Sequence, residues 1–204
     1  MNRNEPIEDN VLYHVYNRGN DRLPIFGDNL DHRSFLKKTK SLSERYSVDV
    51  PIYTLMPNHY HLITRQNRGG NLSDMMGALA TSAAKRYNLK YGHVGHLFQG
   101  PFRYKPIDED ALWDVACYIH LNPVRAGLVQ RPEDWEFSNF AEIKASQMKV
   151  TFSQAEPEKK VTFTPDWRGY ANYVAEILSN EEADKEFRKG METQVEGYLH
   201  HGTD

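Results

Sequence analysis

Apolar residues recur along the chain with two different periods, and these predict four strands and three helices before residue 123. Runs rich in β-branched and aromatic residues predict strands at residues 11–17, 50–56, 59–64 and 102–107. Apolar residues at helical spacing predict helices at residues 31–46, 72–89 and 108–122. Only Pro57 and Asn58 separate the second and third strands, which favours a β-hairpin. Pro123 is expected to stop the last of these helices.

The order β-α-β-β-α-β-α predicts an α+β fold. Its first six elements match the ferredoxin-like or RRM-like arrangement, in which helices cover one face of an antiparallel sheet. The seventh element, a helix, is an addition to that arrangement. We therefore predict one domain over residues 1–140 and a C-terminal extension over residues 141–204. The extension contains a predicted linker at residues 154–160 (QAEPEKK), followed by polar helices of unknown role.

The composition is that of a globular protein, because 39 % of the 204 residues are hydrophobic and 26 % are charged. No apolar run approaches the roughly 20 residues needed to cross a bilayer. The polar N-terminus lacks the apolar segment of a signal peptide. Cys117 is the only cysteine, so an internal disulfide is impossible and a reducing compartment is expected. These observations predict a cytoplasmic protein without a membrane partner.

The net charge of −3 does not by itself favour binding to nucleic acid, but it is unevenly distributed. Residues 1–130 carry 16 Lys and Arg against 13 Asp and Glu, whereas residues 131–204 carry 9 against 15. A basic first part followed by an acidic tail occurs in proteins that bind nucleic acids. The same asymmetry is common by chance, so it adds little to the functional argument.

The stretch MPNHYHLI, residues 56–63, places His59 and His61 two positions apart in a predicted strand. Side chains at i and i+2 of a strand point to the same face, so both imidazoles project together while Tyr60 and Leu62 face the core. Two imidazoles at this spacing can hold one metal ion, but the site then needs a third ligand. The pair alone is not specific, because a chain with 9 histidines is expected to contain such pairs by chance.

Tyr118 and Asn122 lie one turn apart on the last predicted helix, next to the face that carries Leu112, Val115 and Ile119. A tyrosine beside an apolar stripe and in line with an amide is a candidate nucleophile. The same position is also typical of a half-exposed packing residue. Helical geometry alone leaves both interpretations open.

A phenol and a divalent ion together suit the chemistry of DNA phosphodiesters. A tyrosine hydroxyl has a pKa of about 10, and a divalent ion next to the phosphate stabilises the oxyanion that develops during attack. The attack would form a phosphotyrosine and release a 3′-OH, so that rejoining needs no ATP. The phosphate-binding pattern G-x-x-x-x-G-K-[ST] is absent from the sequence, in agreement with a protein that uses no nucleotide cofactor.

Four ordered motifs carry a resemblance to a known family: HVYNRGN, LMPNHYHLI, GHLFQGPFRY and YIHLNPVRAGLV. They resemble the single-tyrosine HUH transposases, and most closely the REP-associated tyrosine transposases, over about residues 11–140. The resemblance implies an RRM-like sheet with the tyrosine on a helix after the last strand. It also implies cleavage and rejoining of single-stranded DNA next to imperfect hairpins formed by palindromic repeats.

Position by position, the resemblance implies that His59 and His61 bind a catalytic Mg²⁺ or Mn²⁺ and that Tyr118 is the nucleophile. It further implies that Asn122 occupies the place of a third polar ligand. Imidazole ligands by themselves favour zinc, so the expectation of Mg²⁺ or Mn²⁺ comes from the resemblance. Related enzymes include monomers and dimers that share tyrosines, which leaves a monomer or a homodimer as the expected state.

Polar residues near the ends of the predicted elements are candidates for contacts with DNA phosphates and bases. They are Asn17, Arg18, Asn20, Gln99, Arg103, Lys105 and Arg125. Each of them is equally compatible with an ordinary solvated residue. His14, on the first strand, is expected to be structural, and His120, on a different helix face from Tyr118, is not expected to be a ligand.

Two other functions remain open from the sequence. A domesticated hairpin-binding protein that no longer cleaves DNA would retain the sheet and the basic residues without needing His59, His61 and Tyr118 together. A metal-dependent hydrolase that uses water as its nucleophile would leave no phosphotyrosine.

Overall fold

A computed structural model describes residues 6–146 and 167–194, and its centre is a four-stranded antiparallel sheet. The strands are β1 (Leu12–Arg18), β2 (Val48–Met56), β3 (His59–Gln66) and β4 (Arg103–Pro106). They lie in the order β2-β3-β1-β4, so β3 and β1 are the central strands. The four predicted strands and the α+β class are confirmed.

The hairpin between β2 and β3 turns at Pro57 and Asn58, as predicted. Met56 pairs with His59 directly across this turn. A two-residue turn fixes the register of the two strands that it joins. The turn therefore determines which face of β3 carries His59 and His61.

Helices α1 (Asn29–Tyr46) and α2 (Leu72–Tyr91) pack on one face of the sheet, as predicted for the ferredoxin-like part. Tyr60 and Leu62 face this layer, in agreement with the alternation along β3. The buried cluster between sheet and helices includes Tyr13, Val15, Phe35, Leu42, Tyr60, Leu62, Met75 and Leu79. No described helix, the 20-residue α2 included, is both long and apolar enough to cross a membrane.

Residues typical of helix termini start both helices and follow the end of α2. The Asp28 carboxylate accepts a hydrogen bond from the N–H of Asp31 at 3.0 Å, and the Asn71 amide oxygen accepts one from the N–H of Asp74 at 2.8 Å. Gly92 follows α2 in the left-handed region, with φ of 62°. These local signals explain why the predicted helices lie close to the observed ones.

Helix α3 (Leu112–Arg125), the added helix, covers the opposite face of the sheet. It packs there on Ile52 and Ile63, the apolar residues of β2 and β3 that share a face with His61. The sheet thus lies between two layers of helices. The alternation along β3 predicts that His59 and His61 lie on the face of the sheet away from α1 and α2. Helix α3, which carries Tyr118, partly covers that face.

The prediction that Pro123 stops this helix is wrong, because α3 continues to Arg125 with the proline inside its last turn. Only Val124 and Arg125 follow the proline in α3, so its missing N–H lies less than one turn before the helix ends. Carbonyl groups of the last turn accept bonds from the following loop: Ala126 N–H donates to Asn122 O, and Leu128 N–H donates to Pro123 O, both at 2.9 Å.

The chain that follows α3 runs beside the edge strand β2. The N–H of Leu55 donates to Phe137 O, and Trp135 Nε1–H donates to Leu55 O, each at 2.9 Å. The N–H of Tyr53 donates to the side-chain oxygen of Asn139 at 2.9 Å. An uncovered sheet edge invites pairing with other chains, and this segment covers it here.

Three more helices complete the layer around α3: α4 (Phe140–Ser146), α5 (Trp167–Ser179) and α6 (Glu181–Gln194). Tyr170 and Met191, from α5 and α6, are buried in the same cluster as α3. The described part of the C-terminal extension therefore packs on the helix that carries Tyr118. The predicted linker at residues 154–160 lies outside the described residues, and the boundary at residue 140 stays a prediction.

Candidate active site

One face of the sheet collects five of the eleven candidate site residues that the sequence singled out. Residues directly opposite each other in an antiparallel sheet point to the same face. Arg18 pairs with His59 and Tyr16 with His61 between β1 and β3. Tyr16 also pairs with Arg103, across β4. We call this surface the polar face; its members are His14, Tyr16, Arg18, His59, His61, Arg103 and Lys105.

His59 and His61 point to the same side, as their spacing predicted. Their ring centroids lie 5.0 Å apart, and the ring planes are nearly perpendicular, at 88°. His61 is only 1 % exposed, whereas His59 is half-buried. One imidazole of the pair is thus inside the protein, and the other reaches its surface.

A hydrogen bond at Nδ1 orients each of these rings. His59 Nδ1 lies 2.7 Å from Asn58 Oδ1, an oxygen that can only accept, so the proton is on Nδ1 and Nε2 keeps its lone pair. His61 Nδ1 lies 2.9 Å from His14 Nε2. His61 Nε2 is buried and has no hydrogen-bond partner within the described part of the chain. Since buried polar atoms are normally paired, the unpaired nitrogen fits a bound metal ion, which imidazole binds through one nitrogen while the other is hydrogen-bonded.

Burial keeps both imidazoles in the neutral form, which is the form that binds a metal ion. Burial, with the charge of Arg18 as a smaller cause, lowers the pKa of His59 to about 4. Burial and the adjacent imidazoles lower the pKa of His61 well below its usual value. Near neutral pH a metal ion would therefore displace no extra proton from either ring.

Helix α3 brings Tyr118 against the histidine pair. Its ring centroid lies 5.7 Å from that of His61, with the planes at 86°, and 6.5 Å from that of His14. Tyr118 is 6 % exposed, so its ring packs inside the protein. The structure thus brings together three side chains that the sequence predicted from separate elements, namely His59, His61 and Tyr118.

Asn122, the predicted third ligand, lies one turn after Tyr118. Its Nδ2 donates to Tyr118 O at 2.9 Å, which leaves Oδ1 as the atom suited to coordination. Within the two described ranges, no three His, Cys, Asp or Glu side chains form a group that could hold a metal ion. A third ligand drawn from the described residues would therefore be of another type, as an amide oxygen is, and the role of Asn122 stays a prediction.

Three arginines gather at the end of the polar face that carries His59. Arg18 lies opposite His59 in the sheet. Burial lowers the pKa of the Arg18 guanidinium, and the nearby charges of Arg22 and Arg103 lower it further. Clustered guanidinium groups suit the binding of phosphate. Sequence reasoning missed Arg22, whose only signal was its place in the turn NRGNDR, next to Arg18.

Gln99 and Asn20 lie in the loops next to this cluster. Gln99 is exposed, and its side-chain oxygen accepts a hydrogen bond from Arg18 Nε at 3.1 Å. Asn20 is also exposed, and its side chain donates to Asp21 at 3.2 Å. Both residues are therefore accessible to a ligand bound along the polar face.

Asn17 and Arg125 are engaged in contacts within the fold. Asn17 is buried, and its Nδ2 donates to Gly100 O at 3.0 Å. Arg125 forms an ion pair with Asp184 at 2.8 Å and lies over the ring of Phe187 at 5.0 Å, which joins α3 to α6. Both side chains are held within the fold by these contacts, so we leave them out of the proposed DNA-binding surface.

A comparison with protein families identifies the family of this chain. The family model of the IS200-like transposases matches residues 8–122, which is more than half of the chain. The chain therefore belongs to this family of DNA-cleaving enzymes. The matched stretch begins before β1 and ends at Asn122, so it contains the histidine pair and Tyr118. A comparison with curated proteins finds no match.

A solved transposase structure shares the fold, and two others show weaker similarity. A REP-associated tyrosine transposase bound to a REP hairpin superposes with a TM-score of 0.60 at 17 % identity, covering 81 % of this chain and 96 % of that one. A protein from Deinococcus radiodurans assigned as a transposase has a TM-score of 0.42 at 16 % identity, with 58 % and 95 % covered. A bacterial tRNA(His) guanylyltransferase-like protein in complex with GTP has a TM-score of 0.44 at 12 % identity, with 85 % and 92 % covered. The last two similarities are too low to support an argument.

Proposed function

We propose that this protein cleaves and rejoins single-stranded DNA next to a hairpin, with Tyr118 as the nucleophile and His59 and His61 as ligands of Mg²⁺ or Mn²⁺. The observation that carries the proposal is the contact of Tyr118 with His61, whose buried Nε2 has no partner among the described residues. Membership of a transposase family supports DNA as the substrate. The hairpin is suggested by the similar fold of the transposase that was solved with a REP hairpin.

Residues of the polar face and the nearby Arg22 have separate roles in the proposed reaction. His59 and His61 would hold the ion through Nε2, beside the ring of Tyr118. The bound ion would withdraw charge from the scissile phosphate and stabilise the oxyanion that develops there. Arg18, Arg22 and Arg103 are placed to bind neighbouring phosphates of the strand and thereby align it for attack.

The proposed cleavage step exchanges one phosphate ester for another. Tyr118 Oη forms a bond to phosphorus, and the bond from phosphorus to the 3′ oxygen of the preceding nucleotide breaks. The phenol loses one proton and the leaving 3′ oxygen gains one, so the products are a 5′-phosphotyrosine and a 3′-OH. Attack of a 3′-OH on the phosphotyrosine joins the strands and restores the phenol, which requires no external source of energy.

The contact between Tyr118 and His61 lies within one chain, which supports a monomer as the complete enzyme. A dimer that shares tyrosines would need α3 to leave the sheet of its own chain. Ile52 and Ile63 pack against α3 on one side, and the helices α5 and α6 pack against it on the other. Removal of α3 would expose all of these surfaces.

The test uses the full chain and a labelled oligonucleotide library, in which an imperfect hairpin is flanked by randomised single strands. With Mn²⁺, the wild type is expected to form a protein–DNA adduct that survives denaturing electrophoresis, and mass spectrometry should locate the phosphate on Tyr118. Tyr118→Phe should form no adduct. Tyr46→Phe is the matched control, because Tyr46 ends α1 on the other face of the sheet.

Three other outcomes would contradict the proposal. An adduct that persists in Tyr118→Phe would assign the nucleophile elsewhere. Hairpins that are bound but never cut by the wild type would identify the non-cleaving binding protein. Cut DNA without any protein adduct would identify a hydrolase that uses water.

A further inference from the structure

His14 is a buried polar residue that has no part in the reaction as described above. It lies on β1, is 2 % exposed, and its ring stacks on that of His61, with centroids 5.1 Å apart and planes at 20°. Its Nε2 lies 2.9 Å from His61 Nδ1. Burial of an imidazole costs free energy that an apolar side chain would not. The 2.9 Å contact between the two rings is a hydrogen-bond distance, so packing alone does not explain the histidine.

The hydrogen bond between two neutral imidazoles has two possible arrangements. If His14 Nε2–H donates, the Nδ1 atom of His61 is the acceptor, and the single proton of His61 is on Nε2. If His61 Nδ1–H donates, His14 Nε2 is the acceptor, and His61 Nε2 keeps its lone pair. The two arrangements differ in the state of the one atom that faces the proposed metal site.

Only the second arrangement permits a metal ion to bind His61. In the first arrangement, a proton occupies the lone pair of His61 Nε2. That N–H would also be a buried donor without an acceptor, because this atom has no partner within the described residues. The direction of the bond between the rings therefore decides whether His61 can be a ligand.

We propose that His14 is a positioning residue, whose Nε2 accepts the His61 Nδ1–H bond and thereby presents His61 Nε2 to the divalent ion. This inference rests on the proposed metal site. Asn58 has the corresponding relation to His59, through its amide oxygen at 2.7 Å. A hydrogen bond to the nitrogen that does not bind metal commonly fixes the tautomer and increases the basicity of a histidine ligand.

The residues around His14 hold its ring in one place, where it can accept a hydrogen bond from His61. Its ring stacks on Tyr16, with centroids 5.1 Å apart and planes at 29°, as well as on His61. Lys105 lies directly opposite His14 in the sheet. A neutral imidazole has one donor and one acceptor nitrogen, so His14 Nε2 accepts the His61 bond when the proton of His14 is on Nδ1.

The first test compares two substitutions in the full-length protein without DNA. In His14→Gln, the side-chain oxygen can reach the place of Nε2 and still accept the His61 bond, whereas His14→Phe keeps the ring and removes the acceptor. Titration calorimetry with MnCl₂ should show affinity roughly 10- to 100-fold weaker for His14→Phe. His14→Gln should stay close to the wild type. His32→Phe is the matched control, because His32 is a buried histidine that stacks on Phe137, on the other side of the sheet.

The second test reads the tautomer of His61 directly and needs no metal. Long-range ¹H–¹⁵N spectra of protein labelled with ¹⁵N-histidine distinguish a proton on Nδ1 from one on Nε2, and a His61→Gln sample assigns the signals. We expect the proton on Nδ1 in the wild type and in His14→Gln. In His14→Phe the population should move toward Nε2.

These measurements can overturn the inference independently of the proposed function. A proton on His61 Nε2 in the metal-free wild type would overturn it. So would a folded His14→Phe variant that binds Mn²⁺ as tightly as the wild type, or a His14→Gln variant that loses as much affinity as His14→Phe. If the wild type bound no Mn²⁺, the proposed metal site would fail, while the tautomer spectra would still decide the role of His14.

Discussion

The edge of one ring meets the face of another where Tyr118 packs against His61, with centroids 5.7 Å apart and planes at 86°. Both residues are buried. The contact joins the added helix α3 to the central strand β3 within one chain. It gives Tyr118 two roles that can be separated experimentally, one in packing through its ring and one in chemistry through its hydroxyl.

Two substitutions of Tyr118 should separate these roles. Tyr118→Phe keeps the ring and removes the hydroxyl, so we expect loss of the DNA adduct with a small change in stability. Tyr118→Ala also removes the ring and should lower the free energy of unfolding by about 3–5 kcal/mol, as truncation of a buried aromatic side chain does. Urea unfolding and the adduct assay measure the two effects. Equal stability of the two variants would show that the ring contact does not contribute to packing.

Removal of the metal ion should stop cleavage. We expect EDTA to abolish the adduct and added Mn²⁺ to restore it. His59→Ala should lose Mn²⁺ binding and cleavage while it still binds hairpin DNA, because His59 is only half-buried, at the surface of the protein. His96→Ala, at an exposed histidine in the loop after α2, is the control. Undiminished cleavage in EDTA would mean that the two histidines of β3 are structural.

Arginines of the polar face should contribute to DNA affinity through phosphate. Replacement of Arg18 or Arg103 by Gln should weaken binding of single-stranded hairpin flanks at low salt. Each should also reduce the slope of log K against log salt by about 0.7, as expected for the loss of one contact with single-stranded DNA. Arg33→Gln changes the net charge equally at an exposed residue of α1 that pairs with Glu136, and it should have little effect. Equal losses in all three variants would indicate nonspecific attraction.

Buried neutral histidines should make the stability of this protein depend on pH. Burial lowers the pKa of His120 to about 4, and burial also lowers the pKa of His32. The unfolded chain, with histidine pKa values of about 6.5, then binds more protons than the folded protein. The free energy of unfolding should fall as the pH drops below about 6.5, and the part due to His120 should fall until about pH 4, by up to about 1.4 kcal/mol per pH unit. Urea titrations across this range check the trend, and His120→Gln should show a shallower dependence than the wild type.

The C-terminal helices should stabilise α3 through Tyr170. Asn139 Oδ1 can only accept, so His120 Nε2 carries the proton and its Nδ1 accepts from Tyr170 Oη at 2.7 Å. Tyr170→Phe leaves a buried acceptor without this donor, which should cost about 1–3 kcal/mol in urea unfolding. Tyr173→Phe is the matched control, because its partner Asp114 is only half-buried and water can replace the lost bond. A smaller loss in Tyr170→Phe than in Tyr173→Phe would contradict this account.

Much of the fold could be predicted from local patterns. The alternation along β3 predicted that Tyr60 and Leu62 face the helices, and the turn at Pro57 predicted the hairpin. Pro123 shows where a local rule fails: proline is expected to stop the helix, whereas two more residues continue the helix after it.

The sequence by itself determined that His59 and His61 share a face, because the two-residue period of a strand is a local property of the backbone. Only the tertiary structure decided what surrounds them. The hydrogen bond between His14 and His61 depends on the register of β1 against β3, and the approach of Arg22 to Arg18 depends on the path of a turn. The place of Tyr118 depends on the packing of α3 against the sheet. Register, turn path and helix packing arise from contacts between distant parts of the chain, and no local spacing of residues encodes them.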